Sequence, residues 1–407
     1  MGRRATLTLG AALAACEPAT SVERPSADQG PTPDSAQPLD ARSRPDAAEP
    51  ARDADTPDVP ARPLDLGSTD ARADDAVALD TAVVPDATPA DLGTAPADAG
   101  TAPVDAERPV EPPRGETPLP PLPGGPRQEL GVAALGARIH VLGGLDAEER
   151  PLARHEVYDT SRGAWAVARD LPVPVNHPNA AAGPDGRLWV LGFLGRRAVP
   201  DRRGFVYDPA DDTWADAPSL PAGRVRGDAA VVVRGRELLL IGGSAVRGVT
   251  LCDAFDVDTG TYRILPDLPE PRDHAAAAVI EGVLYVSAGT EGAPDALLST
   301  TWRLDEAAGQ WTPLAPLPTP RGVAGFGTLD GRLVLLGGEG DAPEAVDGAF
   351  AEIDLYDPVL DRWTSLGALS GPRRAFGTAV VGGTLYLAGG ADRFGTSPLD
   401  HFTAWRP

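Results

Sequence analysis

The chain has 407 residues and a net charge of −23, with 59 acidic side chains against 36 Lys and Arg. That balance leaves nothing to track a phosphate backbone, so nucleic acid is excluded as a partner. No lysine occurs, which excludes Schiff-base and lysine general-base chemistry.

In chain order, Arg3-Arg4 leads into a short apolar stretch over residues 5–15. The stretch is too short to cross a bilayer as a mature helix. Its order of basic, apolar and small residues is that of a secretory signal. It ends in Leu13-Ala14-Ala15-Cys16, which resembles the lipobox of bacterial lipoproteins. The resemblance implies that residues 1–15 are a cleaved signal peptide and that Cys16 carries lipid. It also implies a membrane-anchored place in the bacterial cell envelope, at the outer membrane or cell surface. Cys252 is the only other thiol, and it reads as a small buried side chain on an expected strand.

Residues 16–114 read as a disordered linker. Residues 17–116 contain no Phe, Trp or Tyr, and more than half of the net charge of −23 falls there. A segment dominated by Ala, Pro and Asp cannot bury enough apolar surface to offset chain entropy. Proline blocks helix and interior strand, and the excess of Asp extends the chain. As a flexible coil of about 100 residues it would span about 55 Å, and about 300 Å when fully stretched.

From there to the C-terminus, over 115–407, one pattern returns six times. A turn, usually headed by Arg, precedes an apolar run and a Gly. A hydrophobic strand follows, closed by a pair of residues that are small at all but one position. These pairs are Gly143-Gly144, Gly192-Phe193, Gly242-Gly243, Ala288-Gly289, Gly337-Gly338 and Gly389-Gly390. Next comes a Tyr-Asp segment, as in Tyr158-Asp159, Tyr207-Asp208 and Tyr356-Asp357, and then Trp165, Trp214, Trp311 or Trp363 ahead of a Leu-Pro-type linker. The third repeat departs, with Phe255-Asp256 and Tyr262 in those places. Short apolar runs bounded by Gly, Pro and Asp predict strands, and a spacing of about fifty residues is that of kelch repeats.

The joint recurrence of small pair, Tyr-Asp and Trp resembles the kelch family over the whole repeat region. The resemblance implies an all-β, six-bladed kelch-type β-propeller, with four-stranded blades around a channel. The last repeat has no room for a complete fourth strand, while Leu119-Pro120-Pro121-Leu122-Pro123 resembles the linker Leu314-Ala315-Pro316-Leu317-Pro318. The segment near 115–122 is therefore expected to supply the outer strand of the final blade.

In a four-stranded meander the loops leading into the first strand share a face with those after the second. The leading loops carry Arg127, Arg224, Arg226, Arg272, Arg321 and Arg373, with His177 in place of Arg in the second repeat and His274 following Arg272 in the fourth. A ring of guanidinium groups at the channel mouth would grip a carboxylate or other anion. These eight residues are the expected ligand-binding set. The loops after the second strand vary most and suit recognition. Loop 193–204 is basic, through Arg196, Arg197, Arg202 and Arg203. Loop 339–351 is acidic, and its spacing is not that of a dedicated calcium loop.

No Gly-x-Ser-x-Gly elbow or zinc-protease pattern occurs. The five histidines are scattered over several repeats without paired ligand spacing, so no metal or cofactor is expected. The sequence therefore supports an envelope lipoprotein whose propeller binds a protein or an anionic glycan. An alternative is a sugar-acid mutarotase, since bacterial six-bladed kelch enzymes that mutarotate sialic acid share this blade number and compartment. No catalytic residue of theirs is matched here.

Overall fold

The computed structural model describes residues 114–292 and 296–407. Cys16, the signal peptide and the linker up to residue 113 lie outside them. Among the described residues the strands form six four-stranded antiparallel sheets. The first blade runs through Gly131–Leu135, Arg138–Leu142, His155–Asp159 and Ala164–Val167. The second comprises Ala180–Ala182, Leu188–Leu194, Pro200–Asp208 and Thr213–Ala217. The third follows as Ala230–Arg234, Glu237–Ile241, Cys252–Asp256 and Thr261–Ile264, and the fourth as Ala276–Ile280, Val283–Ser287, Thr301–Asp305 and Gln310–Leu314. Gly325–Leu329, Arg332–Glu339, Ala349–Asp357 and Arg362–Ala368 make the fifth. The sixth joins Gly377–Val381, Thr384–Ala388 and Phe402–Arg406 to the N-terminal strand Gly115–Pro118. The first strand of each blade packs on the first strands of both neighbours, so these strands encircle the channel.

Closure is by the N-terminal strand. Gly115 pairs with Arg406 and Pro118 with Thr403, and Leu122 is buried just beyond.

Each recurring residue has a physical task. Asp159, Asp208, Asp256 and Asp357 accept backbone N–H bonds from residues two or three further on. They thereby shape the hairpin between third and fourth strands. The Trp indoles clamp neighbouring blades. Trp165 donates to Pro120 O at 2.8 Å, Trp214 to Arg169 O at 2.9 Å, Trp311 to Pro266 O at 3.2 Å and Trp363 to Ala315 O at 3.1 Å. Tyr262, standing where the third blade lacks Trp, makes the same bond to Pro218 O at 3.1 Å. The closing glycines bring adjacent blades together. A methyl group on Gly242 (φ +60°) or Gly337 (φ +57°) would collide with the carbonyl oxygen of Arg272 or Arg373, at the start of the next blade.

Between the first two blades lies a buried histidine pair. His140 Nδ1 is 2.8 Å from His155 Nε2, and both rings pack on Tyr207. Burial pushes His140 down to about 3 and His155 down to about 4. Both are therefore neutral in the folded protein and protonate readily only when it unfolds. A base depressed in the folded state contributes stability above its unfolded value, and that stability is lost as pH falls below it. The denaturant midpoint should hold near neutrality and fall from about pH 6.5 to pH 4.5, with His155 alone contributing about 3 kcal/mol at full protonation of the unfolded chain. Urea titrations across that window test this. A flat profile between pH 7 and 4.5 would contradict it.

Candidate functional site

The leading arginines are not what lines the channel mouth. Arg127, Arg226, Arg272, Arg321 and Arg373 are all buried, with their guanidinium groups tied inside their own blades. Arg226 Nε donates to Gly242 O at 2.6 Å, Arg321 Nε to Gly337 O at 2.9 Å and Arg373 Nε to Gly389 O at 2.9 Å. Arg272 bonds Ala288 O at 2.7 Å. Carboxylates complete the set. Arg127 pairs with Glu156, Arg226 with Asp253 at 2.8 Å, Arg272 with Glu270 at 2.5 Å and Arg321 with Asp354 at 2.6 Å. Arg224 also reaches Asp253, at 2.5 Å. These groups cross-link strands and linkers, so the expected guanidinium ring at the mouth does not form.

The mouth is built by the residues two positions further on. Glu129, His177, Asp228, His274, Val323 and Ala375 occupy equivalent places in the six blades. All have left-handed backbone, with φ between 44° and 59°. Such a conformation costs a non-glycine residue of order 1 kcal/mol or more and persists only where the surroundings enforce it. Here a circle of main-chain bonds does so. His177 N donates to Glu129 O, Asp228 N to His177 O, Glu129 N to Ala375 O and Ala375 N to Val323 O, each at 2.9 Å. His274 N instead donates to the Asp228 side chain at 3.0 Å. The turn directs these six side chains to the axis, where they line a cavity of about 180 Å³.

Four of the six are ionisable. His177 Nε2 lies 3.2 Å from Glu129 Oε2, and His274 Nε2 lies 3.7 Å from the same oxygen. His274 Nδ1 is 2.7 Å from Asp228 Oδ2 and 3.2 Å from Asp273 Oδ1. The two imidazoles meet edge to face, with centroids 5.2 Å apart. Arg374 approaches Glu129 at 3.6 Å and also pairs with Glu339. Burial pushes the Glu129 carboxyl upward, but His177 and His274 outweigh it and hold the group well below the usual carboxylate range. Burial opposes protonation of His274, yet Asp228, Asp273 and Glu129 raise it well above an ordinary histidine. An ionised carboxylate and a protonated imidazole thus face each other at the channel mouth.

Of the sequence-derived site residues, His177 and His274 reach the mouth and the leading arginines do not. Glu129 and Asp228 carry no repeat signature, because neither residue type recurs at this position. The available signal was positional: each stands two residues after the leading Arg, in register with His177 and His274. The histidines, scattered in sequence, are gathered because the ring brings equivalent positions of different blades to one axis. The loops flanking the mouth are partly strand. In the second and fifth blades the hairpin strands extend into 193–204 and 339–351.

A kelch motif matches residues 271–318, the fourth blade and its flanks. The Kelch-like protein terF of Aspergillus terreus (strain NIH 2624 / FGSC A1156) is 33% identical over 281 residues, which is 65% of this chain and 61% of that protein. The chain therefore spans about three-fifths of the length of that relative. The solved structure of YjhT superposes with a TM-score of 0.59 at 17% identity, covering 70% of this chain and 95% of that one. Blade count, topology and motif together make this chain a six-bladed β-propeller that carries a kelch motif.

Proposed function

We propose that this chain is a bacterial envelope lipoprotein, held to the membrane through Cys16, whose propeller binds a protein or glycan on its loop-bearing face. The observation that carries this reading is the character of that face. Loops around the polar mouth expose the apolar side chains Val199, Val246, Val346 and Phe394. Exposed apolar groups rimming a rigid, charged depression suit a macromolecular partner, with recognition by loops on a fixed scaffold. The mouth itself carries Glu129, Asp228, Asp273 and Glu339 against Arg374 and two histidines, which disfavours an anionic group at its centre. The anionic-glycan expectation narrows accordingly to ligands that present hydroxyl or cationic groups there.

A photo-crosslinking amino acid placed at Val199 or Phe394 in cells tests the reading. Both positions should yield defined adducts, and Val167, exposed on an outermost strand, should not. Cys16→Ala should release the protein from the membrane fraction. Adducts equally abundant from Val167, or none at all, would refute the assigned face.

A second reading, sugar-acid mutarotation, draws support from Glu129 and His274. A deprotonated and a protonated group 3.7 Å apart form the acid–base pair that ring opening at an anomeric centre needs. Against it, the arginines that would grip a sugar carboxylate are buried. Polarimetry with a sugar acid and Glu129→Gln as control separates catalysis from binding.

A further inference from the structure

We infer that the channel mouth is a divalent transition-metal site formed by Glu129, His177 and His274. The inference deepens the assignment of the mouth as the binding site and rests on it. Three observations carry it.

The first is how the imidazoles are held. Asn176 Nδ2 donates to Leu194 O at 2.9 Å and Gly195 O at 3.0 Å, so its oxygen is left as the acceptor facing His177 Nδ1 at 2.6 Å. His177 thus carries its proton on Nδ1 and turns Nε2 to Glu129. His274 is set the same way. Its Nδ1 donates to Asp228, and Asp273 is braced by Thr290 Oγ1 at 2.6 Å. Histidines whose Nδ1–H is held by an oxygen acceptor, leaving Nε2 free toward a shared point, are the usual ligands of a metal with its supporting shell.

The second is an orphaned atom. His274 Nε2 is buried and has no partner at hydrogen-bond distance, its nearest acceptor being Glu129 Oε2 at 3.7 Å. With both Nδ1 atoms donating, two Nε2 atoms face one carboxylate, and something positive must lie between them. Protons can supply that charge, and so can a cation.

The third is spacing. The ligating atoms of the three residues lie within 4.8 Å of one another, and the imidazole-to-carboxylate separations are 3.2 and 3.7 Å. Metal–nitrogen and metal–oxygen bonds of about 2.0–2.2 Å in tetrahedral geometry give ligand–ligand edges of about 3.3 Å. Two of the three ligand–ligand edges are therefore already close to those of a coordination polyhedron. Two imidazoles with one carboxylate suit Zn²⁺ and related first-row ions rather than Ca²⁺ or Mg²⁺. The cavity would leave the remaining positions to water or to an oxygen of the ligand. A metal there would give the mouth a charge able to take a carboxylate, which its own carboxylates repel, as well as a hydroxyl.

The test is calorimetric titration of Zn²⁺ into the full chain in detergent after chelator treatment, repeated with Co²⁺ to read the ligand set from its visible spectrum. One equivalent should bind, and the Co²⁺ bands should report nitrogen and oxygen ligands. Asn176→Ala should weaken Zn²⁺ by about 10–100-fold, and His177→Asn should weaken it further. Asparagine tolerates the left-handed backbone at position 177, so that variant should keep its fold, and Glu129→Gln gives a near-isosteric check. Two outcomes would overturn the inference. One is no stoichiometric Zn²⁺ binding by the wild type, which leaves the crosslinking result for the loop face untouched. The other is binding of equal strength in His177→Asn and Glu129→Gln, measured beside denaturant midpoints showing that both are folded.

Discussion

Removing residues 17–124 should lower the thermal midpoint by about 10 °C or more, while removing 17–110 should leave it within about 2 °C. The longer deletion takes away the strand Gly115–Pro118, which pairs with Phe402–Arg406 and completes the sixth sheet. It also removes Leu122, which is buried against Tyr158 and Phe402 and whose N–H donates to Asp400 O. Pro120 O, the acceptor for the Trp165 indole, goes with it, as does Glu116, whose carboxylate accepts the Ser370 N–H at 2.6 Å. Fully burying one leucine is worth about 1.5–3 kcal/mol, and each net hydrogen bond about 1 kcal/mol. Several such losses fall at the one place where the ring depends on a distant segment, and they leave an open sheet edge. The shorter deletion touches none of these groups. Equal midpoints for the two deletions would show that the ring does not depend on this strand.

Arg321→Ala should cost about 3–5 kcal/mol, because it strands a buried carboxylate. Arg321 is fully buried, donates to Gly337 O and pairs with Asp354 at 2.6 Å. Loss of the guanidinium leaves Asp354 desolvated without its counter-charge. Removing both charges together should be far milder, since a buried ion pair replaced by apolar groups of similar size is often nearly neutral. Arg321→Met combined with Asp354→Leu should therefore recover most of the single-variant loss, and a double-mutant cycle on the urea midpoint measures this. A loss below about 1 kcal/mol in the single variant would mean that the arginine is not a structural brace. The opposite pattern is expected at the mouth, where Glu129→Gln should change binding more than stability.

The architecture was largely readable from the chain because each recurring residue answers a local requirement that recurs from blade to blade. Asp after Tyr shapes a hairpin, Trp reaches the preceding linker, and a small residue permits close approach to the next blade. Even the departure at Tyr262 keeps the hydrogen bond. The closing strand was legible through the likeness of 119–123 to an internal linker. The site was not legible in the same way. Its residues share a position and not a type, so no repeat signature marks Glu129, His177, Asp228 and His274 as a group. The arginines did recur, and that recurrence reflects bracing. Whether a side chain at a turn points into its blade or to the axis depends on its place relative to the left-handed position, which composition does not reveal. Arg374, next to Arg373, illustrates the point. One guanidinium is locked within the sixth blade, and its neighbour reaches Glu129 and Glu339 at the mouth.

The most direct measurement is diffraction from crystals of the protein grown with Zn²⁺, recorded on both sides of the zinc absorption edge. The account predicts a single strong anomalous peak on the propeller axis, bonded to Glu129, His177 Nε2 and His274 Nε2, with the leading arginines still buried in their blades. A mouth without anomalous density, or a peak held by other residues while His177 and His274 point away, would contradict it.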